Sequence, residues 1–431
     1  MSLVLTNGTV VDQSGPRQLD IEINDQGVVA SLGTGLRGDV ELDVAGLVVA
    51  PGFVDLHTHL REPGNEEAET IETATRGAAL GGFTAVVAMP NTTPAVDSPA
   101  VVQQVRDLAR GALCEVAVAA AITVDRAGQT LAPMAELVRH GVRLFTDDGR
   151  GVQDDKVMRT ALEYSTGLNH LGANGGPIVA QHCDLESLSA GGVMHEGAWS
   201  SVLGMPGQSA EAEELMIMRD IALVRLTGAR MHFQHVSAAG SVAMISAAKE
   251  AGLDITAEAT PHHFTLTDAE CASFDSVYRV HPPLRTDADV AAVKQGLADG
   301  TIDAIATDHA PHTNHEKDRA FGDAPPGMLG LETAFALAVT ELGLPIDKIL
   351  ALLSWQPAAI AGLADRHGGP IAAGRPANLV VVDPGESWTI SRQAMASRST
   401  NTPYDGRSVT GRVRHTILNG EIVVRDTLAQ R

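Results

Sequence analysis

The sequence predicts an α/β fold, a (β/α)8 barrel of the TIM type with a small β-sandwich beside it, and three observations predict it. Eight short apolar runs alternate with helical stretches through residues 52–371, as parallel strands joined by crossover helices do. β-type texture returns only at the two ends, so residues 1–51 and 372–431 are expected to form one small sandwich around an inserted barrel. Aromatic residues make up only 3% of the chain, which suits strands and helices packed through small aliphatic side chains.

The amino-terminal β-type runs are Leu3 to Leu5, Thr9 to Val11, Asp20 to Ile23, Val28 to Ser31 and Leu47 to Ala50, with Asn7-Gly8 read as a hairpin turn between the first two. The eight central runs are Phe53 to Leu56, Thr84 to Met89, Val116 to Ile122, Val142 to Phe145, Ile178 to Gln181, Met231 to Val236, Ile255 to Glu258 and Ile302 to Thr307. A doubly wound open sheet is the competing architecture, but the first strand-to-helix turn has no G-x-G-x-x-G, and a dinucleotide role loses its usual support. Leu171 to Gly176 and Gly322 to Gly330 read as loops. The tail returns to β texture at Ala377 to Val382 and Arg412 to Val424, with Asn419-Gly420 as a turn.

A formal net charge of −22 over 431 residues excludes nucleic acid as the expected partner, because phosphate binding needs a basic face. An anionic substrate must then be caught by local cations or metal, against the long-range field. Three cysteines, Cys114, Cys183 and Cys271, without Cys-x-x-Cys spacing suit a reducing cytoplasm, and no apolar run is long enough to span a bilayer.

Chemistry is expected at the carboxyl ends of the eight strands. The first ends in His57-Thr58-His59 followed by Arg61. Residues i and i+2 of a strand share a face, so both imidazoles can reach one divalent ion, and a guanidinium beside it suits a carboxylate-bearing substrate. The fourth ends in Asp147-Asp148, the fifth in His182, the sixth in His235 and the eighth in Asp308. This N/O donor set matches zinc or another divalent first-row metal and suffices for two ions. His57, His59 and Asp308 would hold one and His182 and His235 the other, bridged by a carboxylate from the fourth strand. Asp148 is the choice for that bridge, with Asp147 as the alternative. Two ions sharing a water would lower its pKa and polarise an amide-like carbonyl, with Asp308 moving the proton. His140, His170, His195, His367 and His415 read as surface or packing residues, and Cys183 as packing. Adjacent His262 and His263 cannot both face inward on a strand.

With these motifs, Met89-Pro90-Asn91-Thr92, Thr260-Pro261-His262-His263, Pro282-Pro283-Leu284-Arg285 and Ala306 to His312, the sequence resembles the dihydroorotase family, class I bacterial type, in the metal-dependent amidohydrolase superfamily. The resemblance covers essentially the whole chain. It implies reversible cyclisation of N-carbamoyl-L-aspartate to L-dihydroorotate and water in de novo pyrimidine synthesis, with two Zn²⁺ per subunit. His57, His59, Asp148, His182, His235 and Asp308 fall on the metal ligands, and Asp308 also on the general acid/base. Arg61 and Asn91, with His59 beside them, fall on groups that bind the substrate carboxylate, with His312 and the Pro326-Gly327 backbone across the ring. Many relatives bridge their metals with a carbamylated lysine, whereas this chain offers aspartate. His281 stands where the class carries asparagine, which places substrate binding there in question. The rivals are another cyclic-amide hydrolase (hydantoinase, dihydropyrimidinase or allantoinase) and a non-catalytic partner of aspartate transcarbamoylase. A catalytic chain can also assemble with that transcarbamoylase, or with itself as a homodimer; the surface sequence selects neither.

Overall fold

The computed structural model describes residues 2–171 and 176–431. Most of the Leu171 to Gly176 loop expected from sequence lies outside the described residues. All eight central runs form strands: Phe53–Thr58, Phe83–Ala88, Glu115–Val118, Leu144–Phe145, Ile178–Gln181, Met231–Phe233, Ile255–Ala259 and Ala304–Ile305. Each pairs in parallel with its neighbours in chain order, except that the third and fourth meet through a bridge, Ala120 with Phe145, and the eighth returns to the first through a bridge from His309 to Thr58. These pairings form a circuit. Several strands are shorter than the apolar runs that announce them: Leu144–Phe145 begins two residues into its run, and Ala304–Ile305 is trimmed at both ends.

Helices occupy the crossovers, among them Ile71–Leu80, Pro99–Leu108, Asp155–Gly167, Ala210–Thr227, Ala239–Glu250 and Asp287–Asp299. Their starts carry local signals: Asp154 accepts from Val157 N, and Thr286 and Asp289 cap each other reciprocally at the start of Asp287–Asp299. The largest apolar core lies between helices and strands, with Phe53, Phe83, Phe145, Phe233 and Phe264 fully buried. Burying side chains of this size contributes roughly 1.5–3 kcal/mol each.

The two chain ends supply a four-stranded sheet from the amino-terminal segment and a seven-stranded sheet that combines it with the tail. Leu5, Ile21, Ile23, Val49, Val381 and Ile417 belong to one buried cluster between these segments. Asn419-Gly420 makes the expected hairpin between Ser408–Leu418 and Glu421–Arg425, with positive φ at both residues, as a primed turn requires. Asn7-Gly8 does not: Leu3–Thr6 pairs with Asp20–Ile23 and Val40–Asp43, while Thr9–Asp12 pairs with Gly15–Gln18 and Val48–Pro51 in the other sheet. Gly8 keeps an ordinary φ, so this turn carries the chain between sheets. Among the described residues, no helix is long and apolar enough to cross a membrane.

Candidate metal centre and substrate pocket

His57 and His59 extend from one face of the first strand, as their i, i+2 spacing requires. His57 Nε2 lies 3.2 Å from Asp148 Oδ1 and 3.5 Å from Asp308 Oδ1, and His59 Nε2 lies 3.0 Å from Asp308 Oδ1. His182 Nδ1 is 2.8 Å from His235 Nε2 and 3.6 Å from Asp148 Oδ1. The fifth, sixth and eighth strand ends thus meet the first around Asp148. His235 and Asp308 have φ of +35° and +46°, the left-handed region that non-glycine residues seldom adopt, so the backbone stores strain where it aims these side chains.

Asp147 faces elsewhere. Its Oδ1 accepts from the backbone N–H of Ile122 at 2.9 Å and of Thr123 at 3.0 Å, and its Oδ2 accepts from the Thr123 hydroxyl. It ties the fourth strand end to the third, while Asp148 alone of the pair faces the imidazoles.

Burial opposes charge on His57, but the carboxylates of Asp148 and Asp308 overcome it and hold the imidazole well above its ordinary value. Asp148 is buried too, and the surrounding imidazoles, His57 foremost, pull it well below the carboxylate range. His235 is pushed down by burial and by its neighbours His182 and His57. Among the described residues His57 Nε2 has no well-directed hydrogen-bond partner, although Asp148 Oδ1 lies 3.2 Å away. Four buried imidazoles converging on two buried carboxylates, with donor atoms within 4.8 Å in the groups His57–His59–Asp308 and His57–Asp148–His235, fit divalent cations of the borderline type.

Polar groups beneath the cluster fix its orientation. Glu258 Oε1 lies 2.9 Å from His57 Nδ1, and its Oε2 lies 3.0 Å from His232 Nε2. Asp55 accepts from His57 N, from Thr307 N at 3.0 Å and from Thr307 Oγ1 at 2.6 Å, binding the first strand end to the eighth. Its carboxyl is pushed up to about 7 by burial. Sequence reading assigned no role to Glu258, His232 or Asp55; the available signal was a charged residue inside an apolar strand, which costs free energy unless paired.

A cavity of about 390 Å³ opens over the cluster, and every predicted site residue lines it except His57, which lies fully buried beneath. Arg61, with φ of +63°, folds its side chain back so that Nε donates to Pro311 O at 2.9 Å and Nη2 lies 3.2 Å from His312 Nε2. Burial lowers its guanidinium to about 10, which leaves it cationic at neutral pH. Among the described residues, no carboxylate lies within ion-pair distance of it. Asn91 Oδ1 is 2.9 Å from His59 Nδ1, and His312 Nε2 is 2.8 Å from Pro326 O. Asn401, from the tail, donates to Ala310 O at 3.0 Å and Gly327 O at 3.1 Å, so the carboxy-terminal segment holds one wall of the pocket. His281 also lines it, stacked on His182 at 4.9 Å and 14°.

His195, His367 and His415 are buried, and each has a charged partner: Arg285 Nη1 lies 3.1 Å from His195 Nδ1, His367 Nε2 lies 2.8 Å from Glu115, and His415 Nε2 lies 3.8 Å from Asp426 Oδ1. His262 and His263 are both buried because they sit on a 3-10 turn, Pro261–Phe264, where strand alternation does not apply. Cys183 packs in the apolar core, and all three cysteines are free and buried.

The chain shares its fold with a dihydropyrimidinase from Brevibacillus agri NCHU1002, at 24% identity and a TM-score of 0.86 over 100% of this chain and 96% of that one. An L-hydantoinase from Arthrobacter aurescens gives a TM-score of 0.88 at 21% identity, covering 100% and 97%. A family described as dihydro-orotase-like matches residues 46–241. A dihydroorotase from Streptomyces coelicolor is 44% identical over 436 residues, 99% of each chain. Another, from Mycobacterium leprae, is 46% identical over 424 residues, 95% of each. On this likeness, which runs almost from end to end of both partners, the chain belongs to the dihydroorotase family.

Proposed function

We propose that this protein is a dihydroorotase that interconverts N-carbamoyl-L-aspartate and L-dihydroorotate in pyrimidine synthesis. The observation that carries the reading is Arg61: a partly buried cation without a carboxylate partner among the described residues, beside a centre of four imidazoles and two carboxylates in one cavity. A neutral cyclic amide gains nothing from that cation, whereas the carboxylate of dihydroorotate does.

The parallel circuit is read as a (β/α)8 barrel spanning residues 52–371, and residues 1–51 with 372–431 as a small sandwich domain. The catalytic rim then lies at the carboxyl ends of the strands. His57, His59 and Asp308 would hold one zinc ion and His182 and His235 the other, with Asp148 between them. Bound there, the ions would supply Lewis acidity, lowering the pKa of a water and polarising the amide carbonyl. In hydrolysis Asp308, low in pKa and 3.0 Å from His59, takes the proton of the attacking water and delivers it to the ring nitrogen as the amide opens. In cyclisation it takes a proton from the ureido nitrogen. Arg61 and Asn91 hold the substrate carboxylate, and His312 with the Pro326-Gly327 backbone faces the ring. Free buried thiols agree with a cytoplasmic location.

The test is the ultraviolet absorbance of L-dihydroorotate with purified protein, chelated protein and chelated protein given zinc, with dihydrouracil, hydantoin and allantoin in parallel. Loss of dihydroorotate alone, abolished by chelation and restored by zinc, is expected. Turnover of the neutral rings would move the protein to the hydantoinase side, and no turnover with metal bound would make it a non-catalytic partner of aspartate transcarbamoylase.

A further inference from the structure

The loop after the eighth strand folds back over the substrate cavity, and Pro326 and Gly327 line that cavity beside Arg61, Asp308 and His312. Proline at 325 and at 326 removes two backbone donors, so this stretch is held chiefly through its carbonyls.

Each of those carbonyls is taken. Lys317 Nζ donates to Pro325 O at 3.0 Å and to Gly327 O at 3.3 Å, while Pro326 O lies 2.8 Å from His312 Nε2. Gly327 O accepts a second bond from Asn401 Nδ2 at 3.1 Å, and Gly327 N donates to Arg279 O at 2.9 Å. Gly327 has φ of +145°, and a Cβ there would fall 2.8 Å from Ala310 Cβ and 2.9 Å from His312 Nε2. The wall is therefore seated in close contact with the strand that carries Asp308.

Lys317 reaches this wall from behind. It ends the short helix Asn314–Lys317, whose start is capped by Thr313 and whose last carbonyl, Lys317 O, accepts from the Ser276 hydroxyl. Its side chain lines a separate polar cavity of about 290 Å³ and is not part of the substrate cavity. Arg279 and Asp275 face it from the segment after the seventh strand, and Glu316 from its own helix. Among the described residues, no carboxylate lies within ion-pair distance of Nζ, so the two carbonyls are its partners. Burial, with Arg279 adding to it, pushes the ammonium down to about 7. The charged amine has three N–H groups and the neutral amine two, so either form satisfies both carbonyls.

We propose that Lys317 is a positioning residue for substrate binding: by holding Pro325 O and Gly327 O from behind, it fixes the Pro326-Gly327 wall in the shape that receives the substrate ring. The proposal rests on the dihydroorotase reading of the same pocket. The wall meets the ring in the ground state and the transition state alike, so its loss falls on KM and spares kcat.

Steady-state kinetics with L-dihydroorotate test this, using zinc-loaded wild type, Lys317→Met and Lys317→Arg, each checked for an unchanged melting profile. Lys317→Met keeps the length of the side chain and removes its donors, and should raise KM about tenfold, the size of one orienting hydrogen bond with a carbonyl left unpaired, with kcat within about twofold. Lys317→Arg restores two donors and should bring KM within about threefold of wild type. A KM within about twofold of wild type in Lys317→Met, a loss carried by kcat alone, or Lys317→Arg no better than Lys317→Met would each overturn the proposal. Should Lys317→Met not fold, Lys317→Gln takes its place under the same criteria. Amide hydrogen exchange of the peptide Phe321–Leu329, read by mass spectrometry, is independent of turnover. It should be about tenfold faster in Lys317→Met than in wild type, and unchanged exchange would overturn the proposal. Absence of wild-type turnover would refute the dihydroorotase reading, and the exchange would still decide whether Lys317 holds the wall.

Discussion

Replacing Arg61 with alanine removes the cation that distinguishes a carboxylate-bearing ring from a neutral one. A hydrogen bond to a charged group contributes about 1.5–3 kcal/mol, and a substrate carboxylate left in the pocket without a partner adds a desolvation cost. Together these give about 2–4 kcal/mol of lost transition-state binding, or about 30- to 1,000-fold in kcat/KM for dihydroorotate. The clamp forms before the chemistry, so the loss is expected mainly in KM. Lysine at the same position, which keeps the charge without the planar fork, should recover part of the loss. Alanine inherits the φ of +63° at this position, so the strain stays and the melting temperature should fall only by the loss of the contacts to Pro311 and His312. Unchanged kcat/KM in the alanine variant, or a lysine variant no better than alanine, would refute the reasoning.

Three further outcomes are expected. Glu258→Gln replaces the carboxylate that holds His57 Nδ1 and His232 Nε2, and should weaken metal retention about 10- to 100-fold in competition with a chromophoric chelator; unaltered retention would contradict the role given to His57. Gly27 sits at φ +74° with any Cβ only 2.0 Å from Asn419 O, so Gly27→Ala should lower stability by about 2 kcal/mol or more in urea titration, and an unmoved midpoint would refute close packing of the two chain ends. Burial raises the Glu115 carboxylate, but His367 and Arg366 outweigh this and depress it to about 2, below the roughly 4.3 of an unfolded glutamate. Its stabilisation is therefore present above about pH 4.3 and is lost as pH falls toward about 2, so Glu115→Gln should cost stability at pH 7 and progressively less as the pH drops through that window. A gap that does not narrow in urea titrations run at decreasing pH would show that the ion pair contributes nothing.

Much of the site could be read along the chain because each strand announces its own end. His57 and His59 share a face by strand geometry, and Asp148, His182, His235 and Asp308 each follow an apolar run, so placing the runs in one circuit brings them together. The Asn419-Gly420 hairpin was legible for the same local reason. Asn7-Gly8 carried the same dipeptide and misled, because which sheet each flanking strand joins depends on partners at Asp20–Ile23, Val40–Asp43 and Val48–Pro51. Two adjacent aspartates were equivalent in sequence, and a backbone amide pair from Ile122 and Thr123 turned Asp147 away.

What the sequence determined by itself was the set of strands and the chemical groups at their ends, since both follow from periodicity of two and the apolar runs that carry it. Tertiary structure decided what those groups can do. Glu258 reaches His57 across 201 residues of chain, Asn401 holds the wall containing Gly327, and Gln208 Nε2 meets His281 Nδ1, each through a hydrogen bond of about 3 Å. A hydrogen bond specifies atoms in space and leaves no period in the chain, so the orientation of the site emerges only when the circuit closes.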